Sequence, residues 1–514
     1  MRKFLKNNIL EIFQTIYESH RQINRFIEKK DFESAQIILG DCQNAAVQIG
    51  TAIESSEGEG FITIGYLEDY CEAVFQVASS ITDGYNGSRA QKELDKKLKK
   101  AENSVRNDIS VKLHIAFFPY KASMWTSFES IWKEAVKSDC CEVCVVVIPY
   151  CEYDEKLVSK KWICEADLFP RDVSIVPFEK YDLELQRPDI AFIHNAYDNG
   201  NTLTSVMPYF YSENIKKYAE CLVYSPYFTF GSYTKGRSDH FFLDSGSVNS
   251  DKIVVQSPFT AEIYQKYGYE KEKLLTYGSP KIDSVIMNCG EASTYNRERD
   301  MPEEWKEKLL GKEKVFLLST HWSYFLCGYS YLLNGHFDFA QRYHNMFINA
   351  ILKNNGKCGV IWRPHPLMIH ALEQRCPHLL GYVREFTQRL EESDFAVVDR
   401  QGSYIDAFNC SDAMVSTYSS LINEYMATGK PIQIFQSKPT DEGGMRSPID
   451  YRKCYFFFKK DGGITFNEFI NMVLNGEDPM KNERMDMFST KSFMNTDGSA
   501  GRKILEKLIS EYSL

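Results

Sequence analysis

Two successive series of alternating apolar strands and helices follow about a hundred residues of helical periodicity. This pattern predicts an α/β protein with two Rossmann-like domains facing a cleft and an N-terminal all-helical extension. The expected division is 1–105 for the helical appendage, 106–290 for the first α/β domain and 291–514 for the second. At 514 residues the chain exceeds the roughly 100–200 residues usual for one domain. Its 43% hydrophobic content supplies more than one core.

The helices come first. Ile9, Ile12, Phe13, Ile16, Ile23, Phe26 and Ile27 recur at helical spacing, and Phe32, Ile37, Ile38, Ala45, Ala46 and Ile49 form a second series. Residues 61–81 predict a third helix and 92–105 a charged fourth, with Asp31 and Ser88 as caps. No catalytic motif falls here, so the segment reads as a docking or homo-oligomerisation bundle. The basic run from Lys92 to Lys100 reads as a solvated helix face, with contact to an anionic membrane or polymer as the alternative.

Strands are expected at 111–118, 142–149, 173–177, 190–194, 221–224 and 252–256. Helices at 127–138, 214–220 and 258–267 lie between several of them. Residues 278–283 read as a turn closing this half, and the polar stretch 288–311 as a connection. The second series has strands at 314–319, 358–362, 395–399, 413–416, 431–435 and 454–458. Helices are expected at 339–354 and 502–512. Sheets of this kind bind ligands beyond the carboxyl ends of their strands.

Composition narrows the partners. A net charge of −10 and a pI near 5.6 argue against bulk binding of nucleic acid. The 14 cysteines follow no regular framework, and Cys140-Cys141-Glu-Val-Cys144 has no second pair, so they read as structural thiols of a reducing cytoplasm. The basic start lacks an apolar signal-peptide core, and no stretch approaches the roughly 20 apolar residues of a membrane span. Any membrane association is therefore expected to be peripheral, at the inner face.

The chemistry gathers at strand ends. In Arg363-Pro364-His365-Pro366, two prolines hold His365 where it can donate to a phosphate oxygen or protonate a leaving group, and Arg363 can clamp phosphate with two parallel bonds. In Ser416-Thr417-Tyr418-Ser419-Ser420 a strand gives way to a helix. Its amides and hydroxyls suit an anion, although such a serine is also an ordinary N-cap. Glu424 is a candidate for a ribose hydroxyl, and Lys281 for a phosphate or a purely structural turn. His321 and Trp322 follow a strand, where Trp322 can stack on a base or pack as an interdomain aromatic. His194 ends another strand with Asp198 nearby, the residue types of a base and its orienting carboxylate.

Taken in order, Gly278-Ser-Pro-Lys-Ile-Asp283, Arg363-Pro-His-Pro366, Ser411-Asp412 with Ser416-Thr-Tyr-Ser-Ser420, Gly429-Lys-Pro431 and Asp497-Gly-Ser-Ala-Gly-Arg502 resemble the CDP-glycerol glycerophosphotransferase family of teichoic acid polymerases and primases. The resemblance covers roughly residues 110–512 and is strongest from 278 onward. It implies a GT-B architecture and transfer of an alditol phosphate from a CDP-alditol to a hydroxyl-bearing polymer or lipid-linked acceptor, with release of CMP. It also implies that His365 and Arg363 face the donor diphosphate and that Ser419 and Ser420 bind its phosphates. Of His321 and Trp322, only Trp322 matches the family pattern. The family's His-Gly motif has no counterpart, since Tyr224-Ser-Pro-Tyr-Phe-Thr-Phe-Gly231 stands there without a histidine. Either His194, with Asp198, takes the role of the base, or the acceptor chemistry differs, or catalysis is lost. No aspartate pair demands a metal, and the sequence is compatible with Mg²⁺. The rival readings are a nucleotide-sugar glycosyltransferase on the same scaffold and a non-catalytic scaffold. Glycerol and ribitol donors are not distinguished.

Overall fold

A computed structural model describes residues 1–84, 86–153, 159–201, 203–290, 293–322, 338–354, 356–435, 445–458 and 463–513. The chain divides into two compact units. The smaller comprises Met1–His114 with Ser138–Glu142 and Ile509–Leu514; the larger comprises Ile115–Lys137 and Val143–Leu508.

The smaller unit is built on α1 (Lys3–Glu28), α2 (Phe32–Glu57), α3 (Ile62–Ser80) and α4 (Gly87–Asp108). Most of the apolar stripe read from α1 is its buried face: Ile9, Phe13, Ile16, Ile23 and Ile27 pack with Leu39, Ile49, Val74, Leu94 and Leu98, whereas Ile12 is exposed. A buried polar link crosses that core. His20 Nδ1 lies 2.7 Å from Asp95 Oδ1, and its Nε2 lies 2.7 Å from the Tyr70 hydroxyl, joining α1 to α4 and α3. The Asp31 carboxylate caps α2 by accepting the Ser34 N–H. Ser88 caps nothing. Helix α4 starts a turn earlier than expected, and Asn86 accepts the Arg89 N–H. Gly87 follows because a Cβ there would lie 2.5 Å from Asn24 Oδ1.

The larger unit holds two six-stranded sheets. The first has the order β2-β1-β5-β7-β8-β9 and the second β12-β11-β10-β13-β14-β15. In chain order the strands are β1 (Leu113–Phe118), β2 (Cys141–Val145), β3 (Tyr150–Tyr153), β4 (Ser159–Ile163), β5 (Ile190–Ile193), β6 (Thr204–Val206), β7 (Cys221–Tyr224), β8 (Lys252–Val254) and β9 (Leu274–Leu275). They continue with β10 (Lys314–Ser319), β11 (Cys358–Trp362), β12 (Ala396–Val398), β13 (Ala413–Ser416), β14 (Ile432–Ile434) and β15 (Phe456–Phe457). From β1 to β9, and throughout the second sheet, neighbouring strands pair in parallel. Their near-continuous apolar sequences are those of strands covered on both faces. Phe117 of β1 stacks on Phe192 of β5, ring centroids 4.7 Å apart.

Three local expectations are corrected. Residues 173–177 form no strand, only a bridge from Ile175 to Val145. A small antiparallel sheet of β4, β3 and β6 was not expected. The turn at 278–283 is only its first residues. Gly278 takes φ +103°, and a helix runs from Pro280 to Cys289. Proline at the first helical position costs no hydrogen bond. Of the expected connection 288–311, residues 291 and 292 lie outside the described residues.

Candidate functional site

Both sheets end at loops rich in titratable groups. Strand β10 leads to His321, β11 to Arg363 and His365, and β1 to Lys121. His321 and His365 meet edge to face, with centroids 4.7 Å apart. His365 Nδ1 accepts the Leu367 N–H at 3.1 Å. Its neutral tautomer therefore carries the proton on Nε2, which is left to donate to a ligand oxygen. Burial, then His321, Lys121 and Arg363, hold its pKa well below the ordinary value. Burial brings His321 down to about 4. Both rings are thus neutral, and His365 offers a donor beside positive charge.

Lys121 completes this centre, and the sequence reading missed it. It is only 7% exposed, and among the described residues its ammonium makes no hydrogen bond or ion pair. Nζ lies 4.2 Å from the Tyr150 ring centroid. Burial lowers its pKa, against an opposing pull from Glu165 and Glu152. The available signal was a lone lysine directly beyond the apolar strand Leu113–Phe118. A buried ammonium without an ion pair is costly, and an anionic ligand is one group that would offset that cost.

Arg363 does not offer the expected clamp. Its guanidinium pairs with Asp399, at the end of β12, and donates to Ser403 O at 3.0 Å and Gly402 O at 3.4 Å. The fork that would grip phosphate instead fixes the β11 loop against residues 399–403. Trp322 packs beside His321, and the Arg375 guanidinium lies 5.3 Å over its ring.

The hydroxyl-rich turn after β13 divides its labour. Ser416 donates to Ser319 O at 2.7 Å, and Thr417 Oγ1 accepts the His321 N–H at 3.0 Å, so these two hold β13 to β10. Ser419 and Ser420 are half-buried, and among the described residues their hydroxyls make no hydrogen bond. They remain available to a ligand.

Lys281 and Glu424 are corrected. Both are buried, with Lys281 Nζ 3.5 Å from Glu424 Oε2 and 3.0 Å from Thr126 Oγ1. The Tyr404 hydroxyl lies 3.5 Å from Thr126 Oγ1, and burial raises the pKa of Glu424. A carboxylate enclosed in this way cannot reach a ribose. Thr126 and Tyr404, both missed from sequence, complete the cluster.

The His194–Asp198 pair does not form. His194 Nε2 accepts the Tyr120 N–H at 3.2 Å, and Nδ1 lies 3.0 Å from Ser127 Oγ. The ring stacks on Phe128, centroids 4.8 Å apart, and burial lowers its pKa to about 3. With its basic nitrogen occupied, His194 cannot take a proton from an acceptor. Asp198 instead accepts the Ser212 N–H at 3.0 Å and the Ser212 hydroxyl at 2.6 Å. Among the described residues, no group of three or more His, Cys, Asp or Glu could hold a metal ion, and no helix is long and apolar enough to cross a membrane.

The family model for CDP-Glycerol:Poly(glycerophosphate) glycerophosphotransferase matches residues 232–510, more than half of the chain. The chain belongs to this family. Among solved structures, this glycerophosphotransferase-family chain is similar to a variant of the wall teichoic acid polymerase TagF, at 13% identity and a TM-score of 0.51, over 86% of this chain and 98% of that one. It is also similar to a UDP-N-acetylglucosamine 2-epimerase, at 13% identity and a TM-score of 0.49, over 79% of this chain and 97% of that one. The TagF likeness speaks for the fold alone, the expected GT-B pair of α/β domains. No curated protein matches the chain.

Proposed function

We propose that the chain transfers an alditol phosphate, glycerol phosphate first among them, from a CDP-alditol to a hydroxyl of a polymer or lipid-linked acceptor in teichoic-acid-like synthesis, with CMP leaving. The observation that carries this reading is the convergence of Lys121, His321 and His365 at the strand ends of two facing sheets. In such transfer the acceptor oxygen attacks phosphorus in line with the departing CMP, and positioning with charge stabilisation dominates. His365 Nε2–H and the Lys121 ammonium would donate to the diphosphate oxygens, and the Ser419 and Ser420 hydroxyls would hold a further oxygen. Arg363 and Asp399 would position the His365 loop without touching the donor. In this reading the reaction would run in the cytoplasm, at the inner face of the membrane.

Calorimetric titration with CDP-glycerol, CDP-ribitol, CMP and UDP-sugars, on the wild type and on His365→Ala, tests this reading. Binding of a CDP-alditol that the variant weakens, followed by CMP release with an acceptor, supports it. Selective binding of a UDP-sugar overturns it in favour of glycosyl transfer. Binding of no nucleotide leaves a non-catalytic scaffold.

A further inference from the structure

The first sheet carries a second set of polar groups that the transfer centre leaves unused. Tyr224 ends β7 with its side chain wholly buried and its hydroxyl without a hydrogen-bond partner. Asn195 follows β5 and is also buried. Its Oδ1 accepts the Tyr197 N–H at 3.4 Å, whereas its Nδ2 donates to nothing among the described residues. Asp244 presents a buried Oδ2 that accepts no hydrogen bond. These atoms belong to segments in direct contact. The Gly246 N–H donates to Ala196 O at 2.9 Å, and a Cβ on Gly246 would lie 2.7 Å from Asn195 O. The Asp244 carboxylate acts electrostatically on Tyr197, Tyr224 and Tyr227. Burial alone raises the Asp244 carboxyl to about 6.

Buried polar atoms without partners are costly, and three gathered in one place call for something to satisfy them. The available chemistry is one amide donor, one carboxylate acceptor and phenol hydroxyls that serve either way, set among aromatic rings. An anion would meet the Asp244 charge, and among the described residues no lysine or arginine pairs with that carboxylate. A neutral molecule with several hydroxyls fits. One hydroxyl would donate to Asp244, another would accept from Asn195 Nδ2, and the C–H faces would lie on the tyrosine rings. Tyr227 stands 6.4 Å from His194, which stands 5.2 Å from Tyr120, the neighbour of Lys121. The set therefore lies beside the transfer centre.

We infer that Asn195, Tyr197, Tyr224, Tyr227 and Asp244 bind a neutral, hydroxyl-rich ligand, a polyol or a glycosyl group. Its assignment as the acceptor end rests on the transfer reading above; the site itself does not.

Saturation-transfer NMR on the full chain with ribitol, and separately with glycerol, tests the site, alongside calorimetry with CDP-glycerol on the same samples. The expected result is saturable polyol contact in the wild type, weakened about tenfold or more in Asp244→Asn and Tyr227→Phe while CDP-glycerol affinity holds. Using two variants keeps the test decisive if one fails to fold. The inference is overturned if the wild type shows no saturable contact, in which case the orphaned atoms hold ordered water only. It is equally overturned if both folded variants bind polyol as the wild type does. Polyol binding that the variants weaken, in a protein indifferent to CDP-glycerol, would sink the transfer reading and leave this site standing.

Discussion

Lys281 Nζ stands 3.5 Å from Glu424 Oε2, both side chains removed from water, so that the helix Pro280–Cys289 is tied to the helix that follows β13. The pair makes an electrostatic bridge within the larger unit where the sequence suggested two separate ligand contacts. Removing one member leaves the other charge buried and uncompensated, which costs about 3–5 kcal/mol. Lys281→Met and Glu424→Leu should each destabilise to this extent, while the double substitution should recover most of the loss. Urea unfolding of the three variants measures this. Additive losses in the double variant would refute the pairing.

The donor reading gives a sharper expectation. A hydrogen bond from protein to a charged oxygen contributes about 1.5–3 kcal/mol, or roughly 10- to 150-fold in affinity. His365→Ala and Lys121→Met should each weaken CDP-glycerol by that order. Lys121→Met should also flatten the salt dependence of binding, because it removes a charge. Calorimetry at two ionic strengths distinguishes these effects. Unchanged affinity in Lys121→Met would remove this residue from the donor site.

These two cases separate what was legible in the sequence from what was not. Strands such as Cys358–Trp362 and Ala413–Ser416 were readable because parallel strands covered on both faces are continuous apolar runs. The antiparallel strands β3 and β4 were not, since Tyr150-Cys-Glu-Tyr and Ser159-Lys-Lys-Trp-Ile mix polar and apolar positions. Strand ends directed attention to His365, Ser419 and Ser420, which do lie just beyond β11 and β13. Which charge neutralises which was beyond reach. Arg363 looked available until Asp399 stood beside it, and Asp198 lay four residues from His194 yet turns, at φ +47°, toward Ser212. Such partners are fixed by tertiary contact, on which local spacing is silent.

Helix α4 offers a local test. An N-cap side chain contributes about 1 kcal/mol. Asn86→Ala should lower stability by about that amount, whereas Ser88→Ala should leave it within about 0.5 kcal/mol. Thermal unfolding of both variants decides between the observed cap and the one expected from sequence.

The buried histidines set the response to acid. His194, held at about 3, and His321, at about 4, sit below the unfolded value of 6.5. The unfolded chain therefore takes up protons that the folded chain refuses. Their contribution to stability is complete above pH 6.5 and is lost as pH falls toward 4 and 3. Each such group contributes a slope of about 1.4 kcal/mol per pH unit within its window. Urea unfolding between pH 7 and pH 4.5 should show steep loss, and His194→Gln should remove about one proton's share of that slope. A variant with the wild-type slope would mean that His194 titrates normally in the folded protein.

Arg363 and Asp399 provide the last test, because structural and direct roles predict opposite patterns. If the guanidinium serves Asp399 and the carbonyls of Ser403 and Gly402, Arg363→Ala should cost about 3–5 kcal/mol of stability by stranding a buried carboxylate. Asp399→Asn should then weaken CDP-glycerol as well, although Asp399 would touch no donor atom, because the His365 loop loses its anchor. Arg363→Lys should not rescue, since an ammonium cannot span the same acceptors. If Arg363 gripped the diphosphate directly, Arg363→Ala would lower affinity at little cost in stability, and Asp399→Asn would leave affinity unchanged. Unfolding and calorimetry on the same three variants separate the two patterns.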